Sequence, residues 1–160
     1  MIENFNEVFA LAFQNHQKGN FQTAEKLYKK VLKINPNHFE SIFLLGSLSA
    51  QTNNFDKAKK FFQKAIQINP NYTNAHNNLG NALKELGEYR KAIGCYEKAI
   101  QINPNYAKAH YNLGIVFKEL GEQKKAIDCY QKAIQINPNH VDAHNNLGME
   151  LKELGEYRKA

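Results

Sequence analysis

Three histidines recur at a fixed interval, His76, His110 and His144, and a fourth, His140, stands four residues before the last of them. Two histidines at i and i+4 share one face of a helix and can chelate a metal. The same column holds Val8 and Ile42 earlier in the chain, however, and His140 falls at a junction rather than inside a helix. The rings are therefore read as packing residues, with no metal site. Cys95 and Cys129 occupy one column of adjacent units, so they lie roughly one helix spacing apart, ~10 Å, beyond disulfide reach. They read as small, inert helix residues in a reducing, cytoplasmic compartment.

Catalysis needs a nucleophile, base or metal whose chemistry is set by unlike neighbours. Here nearly every polar residue recurs as one of a ladder of identical residues, and no phosphate-binding glycine loop, paired-cysteine metal motif or nucleophile elbow is present. The chain is expected to have no enzymatic activity and no cofactor. A ladder that can do chemistry of another kind is Asn78, Asn112 and Asn146, flanked by Asn77, Tyr111 and Asn145. Each amide offers a donor and an acceptor, which can pair with a peptide backbone whatever its side chains.

These ladders need a scaffold of constant period. Pro36, Pro70, Pro104 and Pro138 are 34 residues apart, each inside the word Asn-Pro-Asn. A period of this size is the signature of a stacked repeat. The units run 5–38, 39–72, 73–106 and 107–140, with a partial fifth at 141–160, so about four and a half repeats form a single array. Other columns keep the frame: Leu11, Leu45, Leu79, Leu113 and Leu147; Ala24, Ala58, Ala92, Ala126 and Ala160; the small residues Ala12, Gly46, Gly80, Gly114 and Gly148; and the aromatics Tyr28, Phe62, Tyr96 and Tyr130.

Within 73–106 the apolar and small residues fall three and four apart, at His76, Leu79, Gly80, Leu83 and Leu86, then at Tyr89, Ala92, Ile93, Tyr96, Ala99 and Ile100. That spacing predicts two amphipathic helices per unit. Gly19, Asn53, Gly87, Gly121 and Gly155 stand between them and tolerate the left-handed conformation of a helix C-terminus, so they mark the turn. The proline then ends the second helix.

Leu79-Gly80, Ala92, Tyr96, Ala99 and Pro104, recurring across 5–160, resemble the tetratricopeptide repeat. The resemblance implies an all-α, right-handed superhelical solenoid of antiparallel helix pairs, whose first helices line a concave groove that binds an extended peptide or partner protein. By the same resemblance the lining residues are Asn74, Asn77, Asn78 and Asn81, then Lys108, Tyr111 and Asn112, then Asn145 and Asn146. The asparagine ladder resembles that of the tetratricopeptide domain of O-linked N-acetylglucosamine transferases, so a substrate-recruiting arm of a larger enzyme is the alternative. Lys84, Lys118 and Lys152 run beside the ladder, each followed by an acid, Glu85, Glu119 and Glu153.

In the first two units Phe9, Phe13 and Phe43 replace polar lining residues. They read either as an apolar groove patch that seats a hydrophobic anchor or as side chains packed beneath the first helix pair. The chaperone-tail pattern of the family is not met, because Phe9 and Phe13 stand where its lysine and asparagine belong.

The net charge of +6 is uneven: residues 1–72 carry nine lysines against five acids, with Lys26, Lys29, Lys30, Lys33, Lys57, Lys59, Lys60 and Lys64 on the predicted second helices. This is read as a solvated outer face and not as a nucleic-acid patch. No apolar run approaches the ~20 residues that span a membrane, and Met1-Ile2-Glu3-Asn4 opens no signal peptide. Residue 160 falls inside the fifth unit's second helix, leaving Leu147, Leu151 and Leu154 without their full partner. The chain is thus expected to be a fragment of a longer protein, or else to self-associate through that open end.

Overall fold

The computed structural model describes residues 4–157, with side chains to residue 155. Ala160, the last member of the alanine column, lies outside the described residues, as do Met1, Ile2 and Glu3. Nine α-helices and no strand are present among the described residues: α1 Phe5–Gln17, α2 Phe21–Ile34, α3 Phe39–Gln51, α4 Phe55–Ile68, α5 Thr73–Glu85, α6 Tyr89–Ile102, α7 Ala107–Glu119, α8 Gln123–Ile136 and α9 Val141–Tyr157. They fall into two compact units, Met1–Asn71 and Tyr72–Ala160. No described helix is long and apolar enough to cross a membrane.

Each helix pair is closed by the same turn. Gly19, Gly87 and Gly121 have φ of 76°, 72° and 72°, and Asn53 takes the same left-handed conformation at 57°. The next residue's N–H reaches back to a carbonyl of the preceding helix, Asn20 to Asn15, Asn54 to Ser49, Glu88 to Leu83 and Glu122 to Phe117, at 2.8–2.9 Å. This is a Schellman closure, which needs one residue at positive φ. The turn expected at Gly155 is not made, since α9 continues through it to Tyr157.

The Asn-Pro-Asn word makes the opposite joint. α2, α4, α6 and α8 end on Ile34, Ile68, Ile102 and Ile136, and the following asparagine is extended, as a residue before proline must be. Its side chain accepts a hydrogen bond from the backbone two residues on: Asn35 from Asn37, Asn69 from Asn71, Asn103 from Asn105 and Asn137 from Asn139, at 3.1–3.3 Å. An Asx turn therefore wraps each proline.

In unit Met1–Asn71 the core comprises Ala12, Ala24, Tyr28, Leu45 and Leu48, with Phe9, Phe21 and Phe61 packed around it. The glycine column explains how closely paired helices approach. A Cβ at Gly46 would lie 2.7 Å from the Phe62 ring, and in the second unit Cβ atoms at Gly80 and Gly114 would each lie 2.6 Å from Tyr96 and Tyr130. The leucine column is buried at Leu45, Leu79 and Leu113 but 49% exposed at Leu11.

Candidate functional site

In unit Tyr72–Ala160 the helices α5, α7 and α9 carry the residues expected to meet a ligand. Asn112 on α7 donates its amide to Asn77 Oδ1 on α5 at 3.0 Å, and Asn77 in turn donates to Asn78 Oδ1 at 3.3 Å. One repeat on, Asn146 of α9 donates to Tyr111 Oη of α7 at 3.3 Å. Asn112 and Asn146 thus bond between repeats through their amide nitrogens, whereas Asn78 accepts from Asn77 within its own helix. A side chain held this way keeps its carbonyl oxygen and a second N–H for other partners.

Asn77 itself is only 3% exposed and sits beneath Asn78 and Asn112. Asn74 accepts from Tyr106 Oη at 2.8 Å and donates to Tyr72 Oη at 3.5 Å. Asn81 accepts from Tyr96 Oη at 2.8 Å. Lys108 and Asn145 are exposed. All nine residues lie on the three first helices, some presented to solvent and some committed to the frame.

The lysines beside the ladder do not all pair as their neighbours suggest. Lys84 pairs with adjacent Glu85 at 2.8 Å, whereas Lys118 pairs with Glu150 of α9 at 3.4 Å and not with Glu119. Glu150 is 2% exposed, and its Oε1 accepts no hydrogen bond. Its column is apolar and buried at Leu48, Ala82 and Val116, and polar and exposed at Gln14. The change from Val116 to Glu150 in that column is the sequence signal of the pair. The Tyr130 hydroxyl is also buried without a hydrogen bond. Burial raises the Tyr130 and Tyr96 phenols well above their ordinary range.

The histidines are used locally. His110 and His144 bond the carbonyls of Pro104 and Pro138 through Nε2, at 3.0 and 2.9 Å. His140 Nδ1 accepts from the Ala143 N–H at 3.4 Å, and its ring rests 4.6 Å from that of Tyr111. His38 caps α3 in the same way. No group of three His, Cys, Asp or Glu among the described residues could hold a metal. Cys95 and Cys129 are half-buried free thiols, each pushed up to about 11 by burial.

In unit Met1–Asn71 the two readings of the phenylalanines divide between residues. Phe9 packs against Tyr28 and His38, at 6.1 and 5.0 Å between centroids. Phe43 stacks on Phe39 at 6.3 Å and leans on Phe62 at 5.7 Å. Phe13 is 41% exposed and, with Phe21 and Leu44, walls an open depression of about 500 Å³. His16 stands in its rim, bonded to Tyr28 Oη at 3.3 Å and Gln51 Oε1 at 3.0 Å. The lysines of α2 and α4 are partly engaged: Lys29 and Lys57 both pair with Glu25, whose carboxyl they lower, and Lys64 donates to the Pro36 carbonyl.

Family models described as TPR repeat and tetratricopeptide repeat match residues 80–121, 107–140 and 129–160. A model described as anaphase-promoting complex, cyclosome, subunit 3 matches residues 17–99. No curated protein sequence matches the chain. Among solved structures, one of MamA is 33% identical, over 90% of this chain and 84% of that one, with a TM-score of 0.85. MamA from Desulfovibrio magneticus RS-1 is 21% identical, over 99% and 90% of the two chains, with a TM-score of 0.89. YrrB, described as a TPR protein with an unusual peptide-binding site, is 23% identical over 87% and 72%, with a TM-score of 0.81.

The chain belongs to the tetratricopeptide repeat family, and its fold is that family's helical solenoid.

Proposed function

We propose that the chain binds an extended peptide segment of a partner protein along the first-helix face of residues 73–157, with Asn78, Asn112 and Asn146 as backbone clamps. The observation that carries this is the pinning of Asn112 and Asn146 by their amide nitrogens to Asn77 and Tyr111. Pinned amides lose little side-chain entropy when a ligand arrives, which is how a preorganised site gains affinity. One repeat, at ~10 Å between packed helices, matches about three residues of extended chain at ~3.3 Å each, so successive clamps meet every third ligand residue. Asn74, Asn81, Lys108, Tyr111 and Asn145 border the track, and Asn77 acts through Asn78 and Asn112. In the other unit, Phe13 and its depression offer an apolar seat, with Phe9 and Phe43 as its support.

The test is binding of a fluorescent degenerate dodecapeptide pool to the triple variant Asn78→Ala, Asn112→Ala, Asn146→Ala. Loss of binding with helicity retained supports the clamps. Asn77→Ala, which unpins Asn112 but leaves the clamp side chains in place, should weaken binding less than the triple variant does, and Gly94→Ala, on the exposed middle of α6, is the control that should bind as the wild type. Equal binding by the wild type and the triple variant would sink the reading.

A further inference from the structure

The face of the second unit changes character along its length. Asn81, Ile115 and Met149 are equivalent positions on α5, α7 and α9. The first is polar and bonded to Tyr96, whereas Ile115 is half-buried and Met149 is 51% exposed. Ile115 and Met149 each follow a ladder asparagine by three residues, on the same side of the helix. An extended segment clamped at Asn112 and Asn146 would therefore lay side chains on two apolar surfaces.

The charge beside them is already answered. α7 carries Lys108 near its start and Lys118 three residues after Ile115, and it is Lys118 that pairs with Glu150 at 3.4 Å. The Glu150 side chain is 3% exposed and that of Lys118 is 32% exposed, so one partner is shielded from water and the other is partly open to a ligand. Glu150 Oε1 takes no hydrogen bond, which leaves the Lys118 ammonium to compensate it. A ligand carboxylate that drew the lysine away would strand a buried charge, a strongly unfavourable outcome. Lys84 is likewise met by Glu85 at 2.8 Å.

We propose that Glu150 is a specificity-determining residue: by holding Lys118 it makes residues 107–157 select extended segments with apolar side chains against Ile115 and Met149, and reject acidic ones. This rests on the peptide-binding reading above and adds to it the class of ligand.

The test uses two fluorescent dodecapeptide pools, degenerate except that every third residue is fixed as Leu in one and Glu in the other, read by anisotropy. The wild type should favour the Leu pool by on the order of tenfold, the ratio expected for one well-made contact. Glu150→Gln releases Lys118 and should raise affinity for the Glu pool about fivefold at low salt, a gain that high salt erases. Glu150→Val, which fills the position as Val116 does one repeat earlier, should show the same gain and serves if the amide variant unfolds. Ile115→Asn should weaken the Leu pool alone. An unchanged pool ratio in folded Glu150 variants overturns the proposal while leaving the clamps standing. Failure of the wild type to bind either pool overturns both.

Discussion

Tyr96 donates its hydroxyl to Asn81 at 2.8 Å, and one repeat later Tyr130 finds Ile115 where that asparagine would be. Two tyrosines in one column, both fully buried, thus differ in whether the hydroxyl is answered. A buried hydroxyl without a partner loses its hydration and regains nothing.

Removing the two hydroxyls should have opposite consequences. Tyr96→Phe strands Asn81 and should destabilise the protein by about 1 kcal/mol, whereas Tyr130→Phe should be neutral or stabilising. Urea denaturation followed by circular dichroism gives both values. Equal losses for the two variants would contradict the difference in bonding.

The glycines should divide in the same manner. Gly80→Ala places a methyl 2.6 Å from the Tyr96 ring and should cost roughly 1–3 kcal/mol, because the aromatic must leave its site. Gly94, in the exposed middle of α6, has nothing within 4 Å of its would-be Cβ, so Gly94→Ala should stabilise by about 0.5–1 kcal/mol. Melting temperatures of the two variants should move in opposite directions.

Glu150 should be worth more as a hydrocarbon. Replacing a buried ion pair with a well-packed apolar side chain is often neutral or favourable, whereas removing one partner leaves an unpaired charge. Amide hydrogen exchange in α9 should therefore slow in Glu150→Val and quicken in Lys118→Ala. Faster exchange in both variants would show that the pair anchors α9.

Alkaline pH should unfold the protein early. Thiols that titrate near 9 when exposed are held up to about 11 at Cys95 and Cys129 by burial, and Tyr28 is pushed up to about 12 from its ordinary 10. Each group is kept protonated by the fold, so its contribution is whole below its unfolded value and is lost as pH climbs through its folded one. Stability should fall from about pH 9 to beyond 11, and iodoacetamide should label the cysteines at pH 8 on the order of a hundredfold more slowly than a free thiol. Labelling at the free-thiol rate would show the burial to be transient.

The helix pairs, the Schellman turns and the proline joints could be read from columns of Leu, Gly, Ala, Tyr and Pro because repetition supplies several copies of each local rule. The single departures were harder. Gly155 has the residue type of a turn but lies within α9. Lys118 has an acidic neighbour in sequence, Glu119, but its charge is answered by Glu150 across the helix interface. Asn77 reads as a lining residue by position and is nevertheless buried, because Asn78 and Asn112 both hydrogen-bond to it. For Lys118 and Asn77 the outcome depends on contacts between repeats, which a column of residue types does not display.

The hydrogen bond within each Asn-Pro-Asn word begins and ends inside three residues. Each such turn is made locally, and in three of the words the proline carbonyl is met as well by a helix side chain, Lys64, His110 or His144. A length of chain cut from one proline to the next can be copied or excised in frame, and both ends of the seam still fold the same way. The words that punctuate the sequence are therefore also the places at which evolution, or an experimenter, can change the number of repeats.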